Sequence, residues 1–174
     1  MNIIQANKMF PTYVFAKVQR DRVPQVVEEL RKYSEIEFSA PVTGRYDIIM
    51  RIKNTNPEQL TNTINKIRTI HGVNATNTFT ANDGFVNGQK LDTQGVWGFS
   101  LLSVNKPLPE VLQKLKSLPA IYDAWSIPGQ FDIIMSYKAP NYEQLMKSTV
   151  EQLGHTDGIW RSETLFAYQP NLKA

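Results

Sequence analysis

Gly44-Arg45-Tyr46-Asp47-Ile48-Ile49-Met50 recurs as Gly129-Gln130-Phe131-Asp132-Ile133-Ile134-Met135, 129 − 44 = 85 residues further along a chain of 174. Each copy sets a turn glycine ahead of an aromatic residue, an acid and three apolar residues. A repeat at about half the chain length predicts two copies of one supersecondary unit. Just before the first copy, residues 35–42 alternate, with Ile36, Phe38, Ala40 and Val42 on one side, and predict a strand. Residues 46–53 predict the next strand. Tyr46, Ile48, Met50 and Ile52 are expected on one face, and Asp47, Ile49, Arg51 and Lys53 on the other. Gly44 lies in the turn between them, where a left-handed backbone costs a glycine little.

The surroundings complete the unit. Upstream, residues 13–19 alternate as a first strand. Val23, Val26, Val27 and Leu30 then form one helical stripe, with Asp21 as the expected cap and Pro24 in the first turn. Downstream, Asn56-Pro57-Glu58 opens a second helix with Leu60, Ile64 and Ile67 on its stripe. Gly72 closes that helix, and residues 73–80 predict a fourth strand. The order is β-α-β-β-α-β, the ferredoxin-like unit.

The same order returns in residues 96–169. Leu108, Val111, Leu112 and Leu115 repeat the first helical stripe. Asn141-Tyr142-Glu143 opens the last helix, whose apolar face is expected to include Leu145, Met146 and Leu153, and Gly158 closes it. One extra residue in that helix moves the offset from 85 to 86, so that Gly72 meets Gly158 and Thr78 meets Thr164. The expected organisation is an N-terminal arm (1–11), a first repeat (12–83), a linker (84–95), a second repeat (96–169) and a tail (170–174).

A four-strand sheet with helices on one side leaves its other face bare. Both faces of the repeated strand are apolar, Ile48 and Met50 against Ile49. The expected fold class is therefore α+β: two ferredoxin-like repeats packed sheet to sheet, helices outside, as a pseudo-dimeric α/β sandwich of the dimeric α/β-barrel type. Remaining sheet edges predict a further homo-oligomer.

Composition narrows the function. With 41% hydrophobic residues the chain can bury a core. No apolar run reaches the roughly 18–20 residues of a membrane helix, so no membrane partner is expected. The absence of cysteine excludes disulfides and thiolate metal sites. With no leader-like start, a soluble cytoplasmic protein is expected. The net charge of +3 is not gathered into a basic stripe, so direct nucleic-acid binding is not expected.

Few residues offer chemistry. Asp47 and Asp132 each follow a turn glycine by three positions. Each can hold the ammonium or amide end of a small ligand, or accept backbone N–H groups and shape its turn. His71 and His155 fall near helix ends without converging ligands, so no metal is expected. No hydrolase elbow, phosphate loop or dinucleotide pattern occurs, so no catalytic residues and no cofactor are assigned. Trp97, Trp125 and Trp160 are read as core or interface residues rather than a pocket.

Each repeat resembles the effector-binding (RAM) domain of Lrp/AsnC transcriptional regulators. The first repeat carries the hallmark as Thr43-Gly44-Arg45-Tyr46-Asp47-Ile48, then Gly72-Val73 and Thr78. The second carries it as Pro128-Gly129-Gln130-Phe131-Asp132-Ile133, then Gly158-Ile159 and Thr164, with Pro128 in place of the usual threonine. The resemblance implies a dimer-like sandwich that assembles further and binds a small effector, commonly an amino acid, near the hairpins. It nominates Gly44, Arg45, Tyr46 and Asp47, and Gly129, Gln130, Phe131 and Asp132, as ligand-binding. Family regulators also carry an N-terminal helix-turn-helix. Eleven residues before the first strand are too few for one. The expectation is a stand-alone sensing module that acts with itself or with a DNA-binding Lrp/AsnC relative, without direct sequence-specific DNA binding. The alternatives are a dimeric α/β-barrel enzyme of the small monooxygenase or haem-dependent type, and a purely structural oligomerisation partner.

Overall fold

The computed structural model describes residues 10–53, 56–87, 94–168 and 171–172. The first repeat comprises β1 (Thr12–Val18), α1 (Val23–Leu30), β2 (Ile36–Pro41), β3 (Ile48–Ile52), α2 (Pro57–Thr69) and β4 (Val73–Thr80), followed by β5 (Gly84–Val86). The second comprises β6 (Val96–Val104), α3 (Leu108–Lys116), β7 (Ile121–Ser126), β8 (Ile133–Ala139), α4 (Tyr142–Ser148) and β9 (Ile159–Phe166), followed by β10 (Asn171–Leu172). Two five-stranded antiparallel sheets result, in the orders β10-β2-β3-β1-β4 and β5-β7-β8-β6-β9.

The sheets pack face to face, as the two apolar strand faces demand. Tyr13, Phe15, Phe38 and Ile49 from one sheet meet Trp97, Phe99, Leu101, Trp125 and Ile134 from the other in a shared core. Val14, Met50 and Ile52 point the opposite way, onto Val26, Leu30 and Ile67 of α1 and α2. Leu102, Ile133 and Met135 do the same beneath Val111, Leu115 and Leu145 of α3 and α4. Three layers of apolar burial follow from period-2 strands and helices with apolar stripes.

The sheets exchange their ends. Residues 84–86, expected to begin the linker, are β5 and pair with β7 of the second sheet. In the expected tail, β10 pairs with β2 of the first sheet. Each repeat thus covers an edge strand of the other, so that the short strands β10 and β5 form one edge of each sheet and β4 and β9 the opposite one. Of the expected N-terminal arm, residues 1–9 lie outside the described residues. Phe10 sets its ring edge-on against Trp125, 5.9 Å between centroids, and the Pro11 carbonyl accepts the Ala81 N–H at 3.1 Å.

Several local expectations change. Residues Arg20–Arg22 form one 3-10 turn ahead of α1, and no side chain caps that helix, so Asp21 is not its cap. The other two caps form as read: Asn56 Oδ1 accepts the Gln59 N–H at 2.8 Å and Asn141 Oδ1 the Gln144 N–H at 2.9 Å. The register shifts between Ile36 and Phe38, a bulge at Glu37. Ile36 therefore faces the helices while Phe38 and Ala40 face the other sheet. The same shift recurs between Ile121 and Asp123. Strand β3 starts at Ile48, and Tyr46, still in the turn, packs between the sheets against Phe15 rather than with Ile48. Met146 is 47% exposed, on the outer face of α4. The extra residue of the last helix is taken up by a π-turn, Thr149–Leu153, which absorbs an insertion without breaking the helix.

Candidate functional site

The two repeated hairpins lie at one end of the sandwich. Gly44 and Gly129 hold φ of 102° and 117°, a region in which an added Cβ is strained. Each following aspartate ties its turn to the first strand of its own repeat. The Asp47 N–H donates to the Ala16 carbonyl (2.9 Å), and its carbonyl accepts from Val42 N–H (2.9 Å). Its Oδ2 accepts from Val18 N–H at 2.8 Å, where the β1 register slips. Asp132 repeats the set with Leu102, Ile127 and Val104, the last at 2.9 Å. Both carboxylates thus satisfy an amide that the bulge removes from the ladder. Of the two readings of these aspartates, the turn-shaping one describes their contacts. Asp47→Ala and Asp132→Ala are each expected to cost about 1–3 kcal/mol, the penalty of an unsatisfied N–H. Urea unfolding of the two variants checks this.

The remaining hairpin side chains converge across the pseudo-twofold. Arg45 reaches over the interface, its Nη2 donating to Glu163 Oε2 at 2.7 Å and its Nη1 lying 3.5 Å from Gln130 Oε1. Arg45 and Gln130 hold equivalent positions, so their contact marks the pseudo-symmetry axis. The buried Phe131 ring has the Arg161 guanidinium 4.9 Å from its centroid and that of Arg45 at 6.0 Å. Tyr46 is buried, its hydroxyl accepting from Asn77 Nδ2 at 3.0 Å. The Thr43 N–H donates to the Phe166 carbonyl at 3.1 Å, so the first hairpin is also stitched to β9. All eight nominated residues therefore belong to one end of the molecule. Arg161 and Glu163 join them there, and only the fold brings them in.

Sequence reasoning missed a second polar cluster. Asp123, fully buried between the sheets, accepts from Tyr13 Oη (3.0 Å), Trp125 Nε1 (2.8 Å), Ser136 Oγ and Arg51 Nη1. Glu37 Oε2 lies 3.2 Å from Arg51 Nε, paired by charge but out of line for a hydrogen bond. Burial opposes the Arg51 charge, yet Tyr13, Asp123 and Glu37 outweigh it and raise the Arg51 pKa. Burial, with Asp123 adding to it, pushes the Tyr13 hydroxyl well above its ordinary value. The available signal was one charge inside each of two apolar strands, Ile48-Ile49-Met50-Arg51-Ile52 and Ile121-Tyr122-Asp123-Ala124-Trp125.

Other candidates do not converge. His71 and His155 are exposed on the outer helical layers, the latter with Nδ1 2.5 Å from the Glu151 carbonyl. Among the described residues no group of acids and histidines could hold a metal, and no helix is long and apolar enough to cross a membrane. Trp97 and Trp125 are buried between the sheets, and Trp160, 63% exposed on β9, is not a core residue of this chain. Between the sheets, beside Tyr13, Phe38, Trp97 and Phe99, lies a gap of about 10 Å³, room for about one water molecule. Ligand cavities usually measure about 300–1,000 Å³. A tetrapyrrole or flavin does not fit there, and both histidines lie elsewhere.

The Lrp/AsnC ligand binding domain matches twice, at residues 12–90 and 99–171. The HTH-type transcriptional regulator FL11 of Pyrococcus horikoshii is 35% identical over 66 residues, 38% of this chain and 44% of that protein. The regulator LysM of Sulfurisphaera tokodaii is 35% identical over 54 residues, 31% of this chain and 39% of that protein. The chain thus matches less than half the length of these curated relatives. Among solved structures, the siroheme decarboxylase NirDL, determined with an iron-uroporphyrin III analogue, superposes with a TM-score of 0.69 at 8% identity, covering 92% of this chain and 71% of that one. A haem-binding protein of Thermus thermophilus superposes with 0.57 at 9% identity, covering 92% and 90%. At such identities the likeness concerns the fold alone. The twofold match over nearly all of the sequence decides the family: the chain belongs to the Lrp/AsnC ligand-binding domain family and carries that domain twice in tandem.

Proposed function

We propose that this chain is an effector-sensing regulatory module of the cytoplasm. A small amino-acid-like ligand binds where the two hairpins converge and changes how the chain assembles, with further copies or with a DNA-binding Lrp/AsnC relative. The observation that carries this reading is the Arg45–Glu163 ion pair, 2.7 Å long and bridging the two repeats, beside a Phe131 ring flanked by two guanidiniums. A zwitterion can insert into such a pair. Its carboxylate takes Arg45 or Arg161 through charge-assisted bonds, its ammonium takes Glu163, and the charge count stays balanced. Gly44 and Gly129 keep the turn backbones open to the ligand. The arms differ in reach, Arg45-Tyr46 against Gln130-Phe131, and the first hairpin supplies the stronger anchor.

A thermal-shift screen of the proteinogenic amino acids and their 2-oxo acids tests the proposal. At about 100 times Kd a ligand adds about 2.7 kcal/mol of stability. In a chain of this size that is a rise of about 5–10 °C. Arg45→Ala, which leaves the backbone ties of Asp47 in place, should reduce the shift several-fold. If no compound shifts the melting temperature, sensing is refuted and an assembly role is left. If the shift survives intact in an Arg45→Ala/Arg161→Ala variant, this end of the sandwich is not the site.

A further inference from the structure

The buried cluster around Asp123 is built from unlike halves. Tyr13 and Arg51 come from the first repeat; Asp123, Trp125 and Ser136 come from the second. Ladder register fixes which residues correspond. Tyr13 and Phe38 both flank Arg51 in the first sheet, and Phe99 and Asp123 both flank Ser136 in the second. The pseudo-twofold therefore equates Tyr13 with Phe99, Phe38 with Asp123 and Arg51 with Ser136. Where one corner of the interface holds an arginine facing a carboxylate, the related corner holds Phe38 packed at a tilt against Phe99, ring centroids 5.3 Å apart.

We propose that these facing rows are a pairing code, by which the inter-sheet face of the first repeat accepts a face of the second-repeat type and rejects a copy of itself. A sandwich of two first repeats would set each Arg51 against Phe38 and leave it only Glu37, at the rim. A sandwich of two second repeats would bury two Asp123 carboxylates with no cation between them. A buried charge stripped of its partner is among the most costly defects a core can hold. Single charged or polar core residues are also the best-attested devices for fixing which chains pair. The consequence reaches assembly. A single-domain relative can replace one repeat of this sandwich only if it brings an acid at the position of Asp123 or an arginine at that of Arg51. Further association therefore uses the outer surfaces and the hairpin end.

Three full-length variants test the code. In the first, Phe99→Tyr, Asp123→Phe and Ser136→Arg give the second repeat the face of the first. In the second, Tyr13→Phe, Phe38→Asp and Arg51→Ser do the reverse. The third carries all six changes and moves the ionic corner to the other side of the axis. Urea unfolding should show both like-faced chains weakened by about 10²–10³-fold in their folding equilibrium, from the orphaned charges. The six-fold variant should regain at least 10-fold over either. A like-faced chain as stable as the parent, or a six-fold variant no better than the like-faced ones, overturns the proposal. If the like-faced chains do not accumulate, Arg51→Met, Asp123→Leu and their double replace them. The double should be more stable than either single, and a double that is the least stable of the three overturns the proposal equally.

Discussion

Arg51→Met should lower the unfolding free energy by about 3–5 kcal/mol, the cost of leaving a buried ion without its counter-ion. Asp123 is wholly buried, and the donors left to it, Tyr13, Trp125 and Ser136, are neutral. They satisfy its lone pairs but not its charge. The Arg51 side chain is 11% exposed, so little solvent screens the pair. Glu37 sits at the rim, its side chain 34% exposed, and Glu37→Gln should cost only about 1 kcal/mol, because solvent reaches the Glu37 end and Asp123 still pairs with Arg51. Urea titrations of the two variants separate these expectations. Equal, small losses would mean that water reaches Asp123 and the cluster is not a dry one.

Trp97→Ala should cost a further about 3–5 kcal/mol, the usual range for emptying a large aromatic site. Trp97 is 1% exposed and packs 5.4 Å from Tyr122 and 6.0 Å from Phe38, centroid to centroid, so both sheets lose contacts at once. At about 2–4 °C per kcal/mol the melting temperature should fall by about 6–20 °C. Trp160→Ala is the control. That side chain stands 63% exposed on β9, and its loss should stay within about 0.5 kcal/mol. Differential scanning calorimetry of both variants checks the contrast.

Much of the fold was legible because its signals are local and occur twice. The glycine of each hairpin, the prolines and asparagines at helix starts and the period-2 strands state the duplication and the sandwich. What the sequence hid depends on single-residue slips. The bulges at Glu37 and Tyr122 turn the side chains that follow, so Ile36 and Phe38 part company although both sit on even positions. No propensity marks a bulge. The exchange of β5 and β10 was hidden for another reason: a three- or two-residue strand carries no period, and only the neighbouring sheet edge defines it.

The candidate site divides along the same line. The eight hairpin residues were nominated from a motif, and the structure gathers them at one end. The motif could not say that the aspartates are occupied by Val18 and Val104 amides, because the slip that frees those amides is itself a register effect. Nor could it supply Arg161 and Glu163, which lie about 30 residues beyond the second hairpin and approach it only because β9 flanks β6. Function read from the motif alone would rest on the carboxylates. Read from the assembled end, the proposed function rests on Arg45 and its partners.

A crystal structure of the chain with the amino acid that stabilises it most tests the central claim directly. The account predicts ligand density at the hairpin end, with the ligand carboxylate about 2.7–3.0 Å from a guanidinium nitrogen of Arg45 or Arg161. Density between the sheets beside Tyr13 and Trp97, with the hairpin end unchanged, would contradict it.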